Sequence, residues 1–269
     1  MWNKAKRLLR YYRLGLIVDL KASIAYPTTF WMASTVIPMW ILIQILFIET
    51  IYGQTDSFLG YTRYENYVLF GTFKIVQSLA AVFFLNKLED LTEKIRGTSE
   101  NSFDVLLLKP MDSQILATTG SFWFGSISSF KAGLGMVLYG LSREGHVLGF
   151  GNILAYGLAV IMGVFFLYLL YFFIQTWLFW FEYLQVGQEL WFTLQSFGQF
   201  PTRLYSGLSS VLFNIVMPIT LMAGIPVDFL FGKTPPFTLV MYLVIIIILF
   251  VLTRWFWQYS IKKYSSFSS

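Results

Sequence analysis

The sequence contains no cysteine and only one histidine, His146. Without cysteine there can be no disulfide, thiolate nucleophile, iron–sulfur cluster or cysteine-ligated zinc, and a single histidine excludes sites that need several. Charged residues are also scarce, at 12% of the chain, whereas soluble domains contain about 25%. The sequence therefore excludes most metal and thiol chemistry, and it lacks the polar surface that a soluble globular enzyme requires.

Apolar residues fill the place of the missing charges. Of the 269 residues, 57% are hydrophobic and 20% are aromatic, and the mean hydropathy is +0.64. Because a membrane-spanning helix needs about 20 mostly apolar residues, we predict an all-α polytopic membrane protein with six transmembrane helices, forming one transmembrane domain over residues 1–269. The candidate spans are residues 28–48, 66–86, 114–141, 152–175, 205–226 and 236–258.

The first 26 residues have the pattern of an amphipathic helix. Apolar residues recur every three or four positions from Trp2 to Leu20, and basic residues lie mostly on the opposite side. A secretory signal would carry its cations before a single apolar block, which differs from this arrangement. The pattern predicts an interfacial helix whose cations meet anionic headgroups, with a break at Pro27 before the first span.

Lysine and arginine are divided unevenly between the two sides of the predicted spans. With the N-terminus inside, thirteen of them fall inside, Lys74 and Lys131 lie within spans, and the side of Arg203 is ambiguous. Cytoplasmic loops carry the excess of basic residues. The bias predicts both termini in the cytoplasm and a location in the cytoplasmic (inner) membrane, and it explains the net charge of +5 without a nucleic-acid partner. The basic residues outside are Arg63, Arg143 and Lys233.

The segment before the last predicted span permits two interpretations. Residues 185–204 are polar for a helix that faces lipid, where charged and amide side chains are costly. In the first interpretation they form a cytoplasmic interfacial helix and 205–226 is the fifth span. In the second, most of 185–204 crosses the membrane against protein or water, and 205–235 is a re-entrant outer hairpin broken at Pro218 and Pro226. Hydropathy favours the first interpretation.

Residues 87–113 form the one long loop predicted on the cytoplasmic side. Its first part has apolar residues at helical spacing among charged ones and is expected to end at Gly97, and a second apolar run stops at Pro110. One interpretation is a solvated loop with a helical turn. We favour a docking element for a cytoplasmic partner, because a simple connection between spans does not need two apolar elements. The candidate coupling residues are Leu88, Leu91, Ile95, Phe103 and Leu106.

The order of these elements resembles the transmembrane subunit of type 2 ABC exporters. A cationic interfacial helix, two spans, a charged cytoplasmic helix and the run SFDVLLLKP precede four more membrane segments. The resemblance implies a permease whose loop helix contacts a dimer of ABC ATPase subunits. It also implies that the permease pairs with a second permease subunit, identical or related, and that it has the re-entrant outer hairpin. The residues that carry it are Phe103, Leu106, Leu107, Lys109, Pro110, Pro201, Pro218, Pro226 and Gly232.

The chain has no ATP-binding motif of its own. A phosphate-binding loop has the pattern GxxxxGK[ST], and the only Gly-Lys-Thr, at Gly232, has Val227 where the first glycine belongs and Pro235 where a helix should begin. We therefore expect no enzymatic activity and no cofactor in this subunit. ATP and Mg²⁺ are expected in the partner ATPase.

Four residues are candidates for a substrate path. Lys74 and Lys131 lie inside predicted spans that contain no acidic residue, so they either reach toward the surface with their long side chains or form a cationic spot for an anionic substrate or headgroup. Their candidate partners are Glu65, Glu144 and Asp228. The other two path candidates are Glu189 and Gln195, in the polar segment 185–204.

The sequence therefore predicts the permease subunit of an ATP-driven exporter, with the direction of transport implied by the resemblance alone. An ion-coupled carrier is the alternative, although such carriers usually bury acidic residues at mid-membrane. A membrane-embedded lipid-modifying enzyme or assembly protein is a third possibility. It lacks support because no cluster of Asp, Glu or His marks a membrane face.

Overall fold

The computed structural model describes residues 2–25, 27–95, 103–145, 148–180 and 185–263. Within these ranges the secondary structure is helical, and pairing between extended segments is limited to an isolated bridge between Phe58 and Tyr61. The helices are α1 (Trp2–Ala25), α2 (Pro27–Tyr52), α3 (Arg63–Ala80), α4 (Asn86–Ile95), α5 (Phe103–Leu107), α6 (Ser113–Thr118), α7 (Ile127–Glu144), α8 (Phe150–Thr176), α9 (Gln185–Phe197), α10 (Gly207–Val211), α11 (Gly224–Leu230) and α12 (Thr238–Ile261).

Three helices in the described residues are long and apolar enough to cross a membrane, namely Arg63–Ile95, Phe150–Phe179 and Thr238–Ile261. Val36–Tyr52 and Gly207–Val216 are shorter apolar helices. These features fit an all-α membrane protein, and the count of six spans stays a prediction. We call the end near Arg63 the outer end and the end near Ile95 the cytoplasmic end, following the predicted orientation. The predicted stop at Gly97 lies outside the described residues.

Helices α3 and α7 pack closely because glycines face each other where they cross. A Cβ atom on Gly133 would lie 2.7 Å from the carbonyl oxygen of Gly71, and one on Gly140 would lie 2.6 Å from that of Tyr64. Small residues of this kind let the backbones of membrane helices approach one another. Any larger side chain at these glycines would force the two helices apart.

The prediction of one span over residues 114–141 is wrong, because the chain breaks between α6 and α7. Gly120 has φ of +92°, a conformation that favours glycine. The backbone N–H of Phe122 then donates to the Asp19 carboxylate at 2.7 Å, and that of Trp123 donates to the Val82 carbonyl at 3.3 Å. These bonds replace the helical ones, so the helix that follows the break is the 18-residue α7.

The long N-terminal helix α1 is fixed to this break. The Tyr11 hydroxyl donates to the Thr119 carbonyl at 2.8 Å, and Asp19, about two turns further along α1, accepts from Phe122. Gly15 lies between them, and the Gly120 backbone occupies the space of a side chain there. Helix α1 is therefore anchored to the rest of the domain by specific contacts.

The core lies around α8, which packs against α3, α11 and α12. Residues 218–230, which include α11, are all buried. Residues 207–216 are instead mostly exposed or partly exposed. The chain is therefore interrupted at Pro218 between an outward-facing helical piece and a fully enclosed one.

Residues 202–233 begin and end at the same end of the domain. Both ends of that segment meet the loop before α3: Thr202 hydrogen-bonds toward Tyr61, and Lys233 donates to the Gly60 carbonyl at 2.9 Å. The segment thus leaves the outer end and returns to it. Helix α9 precedes it, and its Trp191 ring lies 4.5 Å from that of Tyr171 near the cytoplasmic part of α8.

Candidate functional site

The predicted coupling helix is continuous with the second span. Helix α3, a π-helical turn at Ala81–Leu85 and α4 form one helix from Arg63 to Ile95, which is 33 residues long. At about 1.5 Å per residue it measures about 50 Å, longer than the hydrocarbon core of about 30 Å. A displacement of α4 would therefore reach the outer end through a continuous backbone.

The apolar side of α4 is turned into the domain. Leu88 is 0% exposed, Leu91 1% and Ile95 5%, and α4 packs against α6 and α8. These three predicted coupling residues therefore hold α4 in place. A cytoplasmic partner does not reach their side chains directly in this conformation.

The two coupling candidates on α5 are buried as well. The Phe103 ring lies between those of Phe179 and Trp257, with centroids 5.2 and 5.9 Å away, and Leu106 is 6% exposed. Phe103 thus links α5 to the ends of α8 and α12. Contact of these side chains with an ATPase stays a prediction, and the structure gives them a packing role.

The surface that α4 and α5 leave open carries other residues. Leu108 is 84% exposed and Val105 43%. On α4, Asp90 accepts from Lys87 at 3.1 Å and from Lys94 at 2.6 Å. An exposed apolar pair beside a charged helix is the composition of a docking surface. The apolar run up to Pro110 contained this signal, but only the fold could tell which of its residues face outward.

A polar cluster at the cytoplasmic end joins α6 to the last span. Asp112 caps α6 by accepting from the backbone N–H groups of Gln114 at 3.0 Å and Ile115 at 3.2 Å, and it pairs with Arg254 of α12. Arg254 also donates to the Gln114 side-chain oxygen at 2.9 Å. The hydrogen bond from Arg254, with the backbone bonds, lowers the pKa of Asp112 below its usual value. The sequence did not reveal this pairing, because the partners are 142 residues apart.

The four path candidates are not gathered into one site. Lys74 is partly buried on α3, with the Gln77 side-chain oxygen 3.5 Å from its ammonium, whereas Lys131 on α7 is exposed. On α9, Glu189 is exposed and Gln195 is 4% exposed. No hydrogen bond or ion pair joins these four within the described part of the chain.

The acidic partners proposed for the two lysines are engaged elsewhere. Glu65 pairs with Lys233 at 2.6 Å, and Glu144 accepts from the Thr62 hydroxyl at 2.7 Å. Asp228 accepts from Thr202 at 2.7 Å. All of these bonds lie at the outer end, so neither Lys74 nor Lys131 has a carboxylate partner among the described residues.

These bonds belong to a second polar cluster, which joins the loop before α3 to residues 202–233 at the outer end. Tyr61 is fully buried and its hydroxyl donates to Asp228, which is 6% exposed. The Lys233 ammonium lies 4.1 Å from the centre of the Tyr61 ring. Burial, together with the Asp228 charge, raises the pKa of the Tyr61 phenol well above its usual value, so that Tyr61 remains a proton donor. The candidate partners Glu65 and Asp228 therefore bond within this cluster instead of to Lys74 or Lys131, which sequence spacing could not reveal.

Comparison with known families agrees with this architecture. A family model described as ABC-2 family transporter protein matches residues 38–268, from within α2 to beyond α12. No curated protein and no solved structure matches the chain significantly. The match covers most of the sequence and includes all the sites described above. The chain therefore belongs to the ABC-2 transporter family and is a membrane permease component of an ABC-type transporter.

Proposed function

We propose that this chain is the permease subunit of an ATP-driven exporter, which works with a dimer of separate ATPase subunits and a second permease subunit, identical or related. The observation that carries this proposal is the continuous helix from Arg63 to Ile95. Its cytoplasmic end bears the predicted coupling segment, and its outer end adjoins the cluster around Glu65. ATP and Mg²⁺ are held by the ATPase in this scheme.

In this mechanism the ATPase contacts the exposed side of α4 and α5, through Val105 and Leu108. Closure of the ATPase pair on ATP displaces this surface. The buried residues Leu91 and Phe103 transmit the displacement, since they join α4 and α5 rigidly to α8 and α12. The continuous helix then carries the movement to the outer end, where access to the outside opens.

We also propose that residues 205–235 re-enter the membrane from the outer side without crossing it. Thr202, three residues before the segment, contacts Tyr61, and Lys233 near its end contacts Glu65, which supports this arrangement. A cysteine in place of Ser206 should then react with an impermeant reagent from outside. Reaction from the cytoplasm alone would instead identify 205–226 as the fifth span.

The main test is co-purification of the ATPase from native membranes with Leu108→Asp. Binding hot spots contribute at least about 2 kcal/mol, so we expect the amount of bound ATPase to fall by about tenfold or more. Leu208→Asp is the matched control, because Leu208 is 87% exposed and lies at the opposite end. If no ATPase co-purifies with the wild-type chain, or if Leu108→Asp and Leu208→Asp recover equal amounts of ATPase, the result would count against the proposal and favour an ion-coupled carrier.

A further inference from the structure

The level of Lys131 follows from the packing of α7 against the candidate span Arg63–Ile95. Lys74 is eleven residues from Arg63 and thirteen from Lys87, or about 16 and 20 Å at about 1.5 Å per residue, so it is near the centre of the span. A Cβ on Gly133 would lie 2.9 Å from the Lys74 Cβ. Lys131 is two residues from Gly133 on α7 and is therefore near the same level.

Among the described residues, no carboxylate pairs with the Lys131 ammonium. Its side chain is exposed, and it forms no ion pair within the described part of the chain. A charged side chain at this depth is costly against lipid and marks a wet path or a ligand. Because the candidate carboxylates Glu65, Glu144 and Asp228 are bonded elsewhere, an anionic ligand can supply the compensating charge.

An open apolar groove lies beside this cation. It is formed by α2 and α7 and has a volume of about 420 Å³, which is within the range of about 300–1,000 Å³ for small-molecule sites. Its walls are apolar apart from one hydroxyl, that of Ser128. The lining includes Ile37, Ile41, Ile45, Ser128 and Ala132.

The groove and the cation share one face of α7. Ser128, Lys131, Ala132 and Gly135 follow the helical spacing i, i+3, i+4 and i+7, which places them together. Gly135 has no atom within 4 Å of the position of a side chain, so the surface next to Lys131 is open. An apolar slot with one cation at its edge is complementary to a molecule with an apolar chain and one negative charge.

We propose that this face of α7 binds an anionic amphiphile, with its charged group on Lys131 and its chain in the groove, and that such amphiphiles are the substrate class of the permease. This inference rests on the proposed function. A lipid at rest keeps its headgroup at the membrane surface, so a cation at mid-depth meets an anionic headgroup only while the amphiphile is crossing.

The binding test needs neither ATP nor an ATPase. The purified subunit in nanodiscs of zwitterionic lipid is photo-crosslinked with a long-chain fatty acid or the fatty alcohol of equal length, each with a diazirine in its chain. We expect the acid to label peptides of α2 and α7 about tenfold more strongly than the alcohol, as for one charge-assisted hydrogen bond. Lys131→Gln should abolish this preference, and Lys131→Arg should retain it.

Arg143→Gln is the matched control, because it removes a cation from the outer end of the same helix and should leave the preference unchanged. Ala132→Trp should reduce labelling by both amphiphiles, since it fills the groove and leaves Lys131 in place. Equal labelling by acid and alcohol, or a preference that survives Lys131→Gln, would overturn the proposal. So would a loss of the dimer with Ala132→Trp while labelling is unchanged, because the groove would then belong to a second copy of the chain.

A transport assay tests whether the bound amphiphile is a substrate. In proteoliposomes that contain the co-purified ATPase, Lys131→Gln should slow ATP-driven transfer of the acid about tenfold, and Arg143→Gln should not. Binding of the acid without ATP-driven transfer would reject the substrate assignment. Failure of the subunit to bind any ATPase would reject the proposed function instead, and the nanodisc result would stand separately.

Discussion

The outer and cytoplasmic ends each contain an ion pair between distant segments, but in different surroundings. At the outer end the Glu65 and Lys233 side chains are 4% and 18% exposed. At the cytoplasmic end the Asp112 and Arg254 side chains are 33% and 30% exposed. Since a buried charge depends on its partner far more than an exposed one, the outer cluster resembles a seal, whereas the cytoplasmic cluster is a solvated tether.

This difference fits the direction in which movement would travel. In the proposed mechanism the cytoplasmic side yields when a partner moves α4 and α5, and its partly exposed Asp112–Arg254 pair can exchange hydrogen bonds with water. The outer side stays shut until the helix from Arg63 to Ile95 is displaced, and its Tyr61–Asp228 hydrogen bond is buried.

The largest expected effect is the all-or-none labelling of single cysteines, which shows which end of the protein is outside the cell. The chain has no cysteine, so single cysteines can be placed without background. Ser57→Cys and Ser142→Cys should react with an impermeant maleimide added outside intact cells, whereas Lys109→Cys and Lys262→Cys should react only after permeabilisation. All four residues are exposed. The reverse pattern would exchange the two ends and invalidate the comparison.

Removal of the outer cation should cause a large loss of stability. Lys233→Met leaves the Glu65 carboxylate buried without its partner, which costs about 3–5 kcal/mol. The measurement is thermal or denaturant unfolding of the purified protein. Arg63→Met is the control, because the Arg63–Glu49 pair is 44% and 34% exposed and should contribute at most about 1 kcal/mol.

A double variant separates charge from packing in this result. Glu65→Gln with Lys233→Met removes both charges, so it should be more stable than Lys233→Met alone. If both variants are equally destabilised, packing rather than the buried carboxylate accounts for the loss. The outer cluster would then not be an electrostatic seal.

The same change at the cytoplasmic end should have a smaller effect. Asp112→Asn removes the charge that Arg254 holds and keeps a side-chain oxygen for capping α6. Because both side chains are about one-third exposed, solvent screens their attraction and we expect a loss of about 1 kcal/mol or less. A loss as large as that of Lys233→Met would contradict the contrast between the two ends.

The smallest effect is the pH dependence of this tether. The pKa of Asp112 is lowered in the folded protein relative to about 3.9 when unfolded. Its contribution is therefore complete above about pH 4 and is lost as the pH falls through the lower folded pKa. The stability difference between wild type and Asp112→Asn should be constant from pH 7 to 5 and should shrink below pH 4. A difference that grows on acidification would reverse this sign.

The sequence and the structure agree best where the length of an apolar run identifies a membrane-spanning helix. The spans around α3, α8 and α12 follow from such runs, because no water is available inside lipid to hydrogen-bond backbone N–H and C=O groups, so an apolar segment there has to be helical. The predicted span 114–141 failed because hydropathy did not register the glycine conformation at 120. That break depends on Asp19 and Val82, which are distant in sequence.

The coupling residues illustrate the limit of periodicity. Helical spacing put Leu88, Leu91 and Ile95 on one apolar face, and the structure does place them together on the buried side of α4. Spacing alone cannot distinguish an apolar face that packs inward from one that awaits a partner. The exposure of Leu108 beside the burial of Leu106 required the tertiary arrangement of α5 against α12.

The membrane class, the lack of a GxxxxGK[ST] motif and the family follow from the sequence alone, because these depend on composition and on the order of residues and elements along the chain. Which charges pair depends on the tertiary structure. Tyr61 meets Asp228 across 167 residues and Glu65 meets Lys233 across 168, and such partners are chosen by the packing of helices rather than by local pattern. In the part of the chain that the structure describes, the same packing leaves Lys131 without a carboxylate partner, beside an open groove.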